Sequence, residues 1–279
     1  MTNSYSDAAR IARDYYNSED ADNFYFHIWG GEDIHIGIYE KTGDGVALAS
    51  RRTTALLADA LGALPKTARI LDIGAGYGGS SRYLAKSFYC RVTALNLSER
   101  ENDRNREANA HAGLAHLIDV VDGSFEAMPF EAATFDAVWS IDALLHSDKR
   151  NAVLAEAYRV LRPGGQLIFT DPMESGACTA TQLAPVLARI HLDSMGSFAS
   201  YGRAANALGF ETLETRDLTP HLIRHYTRIR EELVANTAML EGKVSQPFIA
   251  NALTGLDHWV RAGQAGCLAW GIQHYRKPA

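Results

Sequence analysis

Between residues 69 and 171, short apolar runs rich in β-formers alternate with segments of helical periodicity. RILDIG (69–74), RVTALNL (91–97), LIDVVDG (117–123), TFDAVWSI (134–141) and GGQLIFTD (164–171) read as strands, with helices at 79–87, 99–112 and 149–161 between them. This alternation predicts a mostly parallel, doubly wound α/β sheet, because each parallel neighbour needs a crossover and the crossovers cover both faces. Upstream, helical stretches at 5–20 and 46–63 flank an aromatic, Gly-rich segment at 21–40 with no clear period; Gly62 and Pro65 close the second helix. Downstream, helices at 179–193, 200–208, 221–241 and 247–262 accompany β-like runs at 209–219 and 266–276, which would bring the sheet to seven strands. The expected division is a helical and aromatic cap over 1–64 and an α/β body over 65–279 that carries inserted helices.

Composition narrows the partners. Of 279 residues, 47% are hydrophobic and 22% charged, a balance that buries a core. With 27 Lys+Arg against 33 Asp+Glu, the net charge of −6 makes a poor counterpart for phosphate backbones, so no nucleic acid is expected. No run approaches the ~18 uncharged apolar residues of a membrane span, and the first residues lack the basic-then-apolar pattern of a secretory signal. A cytoplasmic protein with no membrane partner is expected, its number of subunits left open. Cys90, Cys178 and Cys267 lie far apart with no CxxC spacing and are expected to be reduced, mostly buried thiols.

LDIGAGYGG sets Gly74, Gly76 and Gly79 in GxGxxG spacing between a strand and a helix, a turn that lets backbone approach a nucleotide-like ligand. Alone, this fits dinucleotide enzymes equally well. Asp72, two residues earlier, would crowd a pyrophosphate but suits a ligand with an amino group, such as S-adenosylmethionine. Later strand ends add Asn96 and Leu97 for a ribose, Ser124 and Phe125 for a polar contact and an aromatic face to adenine, and Ile141 and Asp142 after the fourth strand.

Together, LDIGAGYGG, GSFEAMPF, FDAVWSIDALLH and RVLRPGGQLIFTD resemble the Rossmann-like class I S-adenosylmethionine-dependent methyltransferases, over about residues 69–172. The resemblance implies a seven-stranded sheet with an antiparallel last strand, and conversion of the cofactor to S-adenosylhomocysteine with no metal. Asn96 departs from it, since most relatives carry Asp or Glu at the ribose position. FYFHIWGGEDIHIGIYE (24–40), LNLSERENDRNRE (95–107), WSIDALLHSDKR (139–150) and GCLAWGIQHYRKP (266–278) are further similar to sarcosine/dimethylglycine N-methyltransferases, whose products lead to glycine betaine. The N-terminal motif also resembles methyltransferases of phosphobases, phenols and lipid alkenes. A cofactor-binding protein without catalysis stands as the reading from another class.

Methyl transfer from a sulfonium to an amine needs positioning in a dry site more than a metal or a covalent nucleophile. Aromatic faces suit a nitrogen that gains positive charge, and an amino-acid carboxylate needs a cationic or hydrogen-bonding partner. On these grounds Tyr25, Phe26, Trp29 and Tyr39, with His27 and His35, form a candidate lid, with Tyr25 and Trp29 also assigned to the cofactor. His146, Tyr25 and Tyr226 are the candidate catalytic residues. His146, Trp29, Met173, Tyr201, Arg224 and Tyr226 are the candidate acceptor-binding residues, for a small amino acid. The mixed charges of SERENDRNRE read as a solvated helix face.

Overall fold

In the computed structural model, which describes residues 5–190 and 192–279, a seven-stranded sheet runs in the order β3-β2-β1-β4-β5-β7-β6. The strands are β1 (Arg69–Ile73), β2 (Arg91–Asn96), β3 (Ile118–Asp122), β4 (Phe135–Ile141), β5 (Leu161–Glu174), β6 (Glu211–Asp217) and β7 (Leu268–Arg276). The first five are parallel; β7 inserts antiparallel between β5 and β6.

The central strands are apolar at successive positions because both faces are covered. Leu71, Val138, Leu167 and Phe169 turn to the face packed by α6 (Arg150–Val160) and α8 (Phe198–Leu208). Ile70, Val92, Trp139 and Ile168 turn to the face packed by α3 (Val46–Leu61) and α4 (Gly79–Phe88). The helix α5 (Glu99–His111) follows β2, and α7 (Ala180–Ile190), α9 (Thr219–Ala235) and α10 (Gln246–Gln264) build out from the β5–β7 side.

The N-terminal segment differs from the sequence reading. Residues 5–28 form two helices, α1 (Asp7–Asn17) and α2 (Glu19–Ile28), where one helix and an aperiodic stretch were expected. Ser18, in an extended conformation, divides them: its N–H donates to Tyr15 O at the end of α1, and its Oγ accepts from Ala21 N at the start of α2. The serine followed by Glu19 and Asp20 is an N-cap signal. The aromatic spacing obscured it, since α2 is buried on several sides, with Phe24, Ile28 and Trp29 packed against Leu233 of α9 and Leu256 of α10. Ion pairs fasten this cap to the body. Asp22 takes Arg104 at 2.6 Å and Arg100 at 3.3 Å from α5, and Arg13 pairs with Glu99.

The cysteine expectation is corrected as well. Cys178 and Cys267 are joined in a disulfide, with Cα atoms 5.1 Å apart, so only Cys90 is a free buried thiol. The fold brings Cys178, two residues before α7, against Cys267, immediately before β7, a proximity that their separation of 89 residues conceals.

Candidate active site

Two adjoining cavities open at the C-terminal edge of β1, β2 and β4. The first, about 780 Å³, has the turn after β1 as its floor, the segment Asn96–Glu101 on one side, and Phe125, Ile141 and Ala143 on the other. Ala12, Arg13 and Tyr16 of α1 roof it. Gly74 has φ +74°, and a Cβ there would lie 2.3 Å from the Cβ of Ala143, so only glycine lets the turn pack against the loop after β4. At Gly76, by contrast, the nearest atom to a built Cβ is Ile34 Cδ1 at 3.8 Å, leaving its backbone open to the cavity.

The first cavity calls for a cation. Asp72 accepts from Ser81 Oγ at 2.6 Å, and burial pushes its carboxyl up to about 7. Asp33 Oδ1 is buried with no hydrogen-bond partner. Burial opposes ionisation of Asp33, yet His35 at 3.6 Å, Arg51 and Arg82 hold its carboxyl below the usual range; Asp33 in turn raises His35 against the effect of its own burial. Burial also pushes Glu101 up to about 7, against the hydrogen bond from Asn96. Carboxylates beside a glycine turn, with an aromatic face at Phe125, fit a nucleoside bearing ammonium and sulfonium charges.

The second cavity, about 540 Å³, is walled by Tyr25, Trp29, Tyr226 and Trp259, and it also exposes Arg189 from the end of α7. Tyr25 and Trp29 rings lie 4.9 Å apart and Tyr226 and Trp259 rings 4.8 Å apart. Burial drives His225 down to about 3, so its ring is neutral. Its Nδ1 accepts from Gly37 N at 3.2 Å, which leaves the proton on Nε2. That Nε2 and Trp29 Nε1 are both buried without partners. Two unused N–H donors and a guanidinium therefore line one aromatic chamber.

Tyr16 and His146 line both cavities, and Tyr16 Oη lies 2.9 Å from His146 Nε2. Burial alone lowers His146 to about 4, so it is a neutral hydrogen-bonding group and too weak a base to hold an amine proton. Asp142, at φ +53°, is fully engaged: Oδ2 accepts from Ile36 N at 2.7 Å, and Oδ1 from Thr170 Oγ1 at 2.8 Å and Trp270 Nε1 at 2.7 Å. It pins the N-terminal cap, β5 and β7 to the end of β4.

Residues 71–169 match a family model described as a methyltransferase domain. A sarcosine/dimethylglycine N-methyltransferase of Halorhodospira halochloris is 51% identical over 278 residues, covering 99% of this chain and 100% of that protein. This chain belongs to that family. The glycine/sarcosine/dimethylglycine N-methyltransferase of Actinopolyspora halophila is 50% identical over 98% of this chain, which spans only 48% of the length of that relative. A crystal structure from Galdieria sulphuraria, assigned as a sarcosine dimethylglycine methyltransferase, superposes with a TM-score of 0.88 at 41% identity, over 93% of this chain and 98% of that one. The protein is an S-adenosylmethionine-dependent methyltransferase with the seven-stranded Rossmann-like fold of its class.

In this methyltransferase, Asp72, Gly74, Gly76, Asn96, Leu97, Phe125, Ile141 and Asp142 come together in the first cavity. Tyr25 and Trp29 line the second cavity, with Tyr226, and not the first, to which the sequence had also assigned them. Of the expected lid, Phe26, His27 and Tyr39 lie outside both cavities, and so do four of the predicted binding residues. Ser124 turns its Oγ back to accept from Glu126 N at 3.1 Å. Met173, near the end of β5, is buried in the core. Tyr201 donates to Asp171 Oδ2 at 2.7 Å while Asp171 Oδ1 accepts from Leu145 N at 2.9 Å, so this pair supports the turn that carries His146. Arg224 faces a separate outer groove, 5.8 Å from the Tyr39 ring.

Tyr16, Glu101 and Arg189 were missed. Glu101 was hidden in a helix whose alternating charges resemble any solvated surface. Arg189 stands beside the apolar stripe Leu183, Val186, Leu187 of α7, and no sequence spacing links it to Trp29 or His225.

Proposed function

We propose that this chain methylates the nitrogen of sarcosine and then of N,N-dimethylglycine, yielding glycine betaine. The observation that carries this reading is the second cavity, where Arg189, Trp29 Nε1–H and His225 Nε2–H offer donors for one carboxylate inside an aromatic chamber. Such a cluster suits a small amino acid and opposes a long apolar acceptor. Tyr25, Trp29, Tyr226 and Trp259 present ring faces to a nitrogen that becomes cationic.

S-adenosylmethionine, when bound, supplies the methyl group on its sulfonium. The first cavity fits it: Asp33 and Asp72 answer its ammonium, and Phe125 and Ile141 its adenine. Tyr16 and His146, at the junction of the cavities, guide the acceptor nitrogen toward the first chamber and exclude water. The acceptor must present a free lone pair. His146 near 4 and His225 near 3 are too weak to take its proton, and burial raises the phenols of Tyr16, Tyr25 and Tyr226 above their ordinary value, so the amine sheds its proton before it is enclosed. Sarcosine and dimethylglycine differ by one methyl, worth only ~1–3 kcal/mol in an apolar pocket, so one chamber serves both steps. Glycine leaves the aromatic wall unfilled and should react least.

The reading places the work in the cytoplasm. There Cys178–Cys267 is open to reduction.

The test incubates purified protein with methyl-labelled cofactor and glycine, sarcosine or dimethylglycine, and identifies products by mass. Dimethylglycine should give betaine and sarcosine both products; absence of betaine from dimethylglycine refutes the reading.

A further inference from the structure

The segment between α2 and α3 is fastened to α9 through two imidazoles one helical turn apart. Gly37 N donates to His225 Nδ1 and Tyr39 N to His221 Nδ1, each at 3.2 Å. Between them, Ile38 N turns away to Ala49 O at 2.9 Å. The Tyr39 side chain adds a second contact to His225: its Oη lies 2.9 Å from the same Nδ1. Tyr39 is itself buried and lines neither cavity.

A backbone N–H can only donate, so the bond from Gly37 makes His225 Nδ1 an acceptor, and Tyr39 Oη must donate to it as well. The phenol keeps its proton for this bond, because burial raises it above its ordinary value, whereas burial drives His225 down to about 3. In a neutral imidazole, the bond made by one nitrogen decides which of the two carries the proton. Two donors on Nδ1 therefore put the proton on Nε2. That atom is buried and, among the described residues, has no partner, and His225 lines the second cavity. A proton on Nδ1 would instead leave a lone pair on Nε2, which repels a carboxylate. The Tyr39 bond is the shorter of the two on Nδ1 and the one that a side chain supplies.

We propose that Tyr39 is a positioning residue of the acceptor site: its hydroxyl holds His225 in the tautomer whose Nε2–H meets the acceptor's carboxylate. Tyr39 acts from behind the imidazole and touches no substrate. The inference rests on the second cavity taking an amino-acid acceptor.

The test combines kinetics with proton–nitrogen correlation NMR of the histidine rings. In ligand-free wild type, the His225 signals, assigned by their loss in His225→Gln, should show a neutral ring with its proton on Nε2. Tyr39→Phe keeps the aromatic ring and should raise the share of the Nδ1–H form. It should raise KM for dimethylglycine about 3- to 10-fold with kcat within about twofold, and lower the preference over dimethylaminoethanol by the same factor. A glutamine at 225 carries its N–H without help from Tyr39, so adding Tyr39→Phe to His225→Gln should change KM by less than about twofold. A merely structural tyrosine would weaken both backgrounds and both acceptors alike. An Nδ1–H ring in wild type, a wild-type KM in folded Tyr39→Phe, or an equal loss in the His225→Gln background overturns the proposal. Absence of betaine from dimethylglycine with the Nε2–H ring in place would overturn the acceptor reading instead.

Discussion

Replacing Arg189 with methionine tests its proposed role as partner of the acceptor's carboxylate. The guanidinium is half-buried at the wall of the second cavity, and methionine keeps most of the apolar stem that packs on Gly255, where a built Cβ would lie 2.6 Å from Arg189 Cδ. The weak 3.5 Å bond to Ala252 O is lost, but this costs little at that distance. A hydrogen bond to a charged group contributes about 1.5–3 kcal/mol, and truncating one side of a buried charge pair costs about 2–5 kcal/mol. Because the cavity is partly open, the lower part of that range applies, about 2–4 kcal/mol. At 1.4 kcal/mol per tenfold, kcat/KM for dimethylglycine should fall about 30- to 1000-fold, chiefly through KM. Arg189→Lys keeps the charge but not the planar fork and should lose about tenfold. The assay is initial-rate methylation across dimethylglycine concentrations, with dimethylaminoethanol, which lacks the carboxylate, as a control. Wild type should disfavour the alcohol strongly, and Arg189→Met should treat the two acceptors almost alike. S-adenosylhomocysteine affinity should remain within about twofold, since Arg189 does not line the first cavity. An Arg189→Met enzyme with a wild-type KM for dimethylglycine and undiminished preference over the alcohol would refute the reasoning.

Other expectations follow from single contacts. Gly74→Ala meets both a left-handed φ and the Cβ of Ala143 at 2.3 Å, so it should lose about 1–3 kcal/mol of stability and most cofactor affinity, measured by thermal melts and calorimetry. Tyr16→Phe removes the 2.9 Å bond to His146 at the junction of the cavities and should lower kcat about 5- to 50-fold with cofactor affinity nearly unchanged; an unaltered kcat would make the contact merely structural. Burial raises Asp171 to about 8, so the native state holds its proton where the unfolded chain has lost it. Its stabilising effect is present below the unfolded value near 4 and is lost as pH rises through about 8. Ligand-free protein should therefore melt at lower temperature at pH 8.5 than at pH 6, and Asp171→Asn should flatten that slope. Reducing Cys178–Cys267 opens a loop of 89 residues and should lower stability by up to about 4–5 kcal/mol, read from melts with and without dithiothreitol.

Local pattern alone determined the body of the protein. Alternating apolar runs and amphipathic helices fix a parallel sheet, because each face must be covered and each crossover needs a helix. The glycines after β1, with Asp72, and the residues ending β2 and β4 were legible because a parallel sheet brings its strand ends to one edge, so positions distant in sequence become neighbours by rule. No such rule governs the rest. The second cavity joins Trp29 at the end of α2, Arg189 of α7, His225 and Tyr226 of α9 and Trp259 of α10, and helix periodicity says which face is buried without saying against what. Hence Arg224 was expected inward and lies outward, while Arg189 was overlooked. Tyr201 and Met173 had the residue types of a pocket wall but pack below the sheet end. The disulfide and the division of the cap at Ser18 were hidden for related reasons: one depends on a proximity created by the closed fold, the other on burial that masks the helical period. Sequence determined the fold and the floor of the first cavity; only tertiary packing decided which side chains face the second, because that depends on how helices without a shared register dock on the sheet.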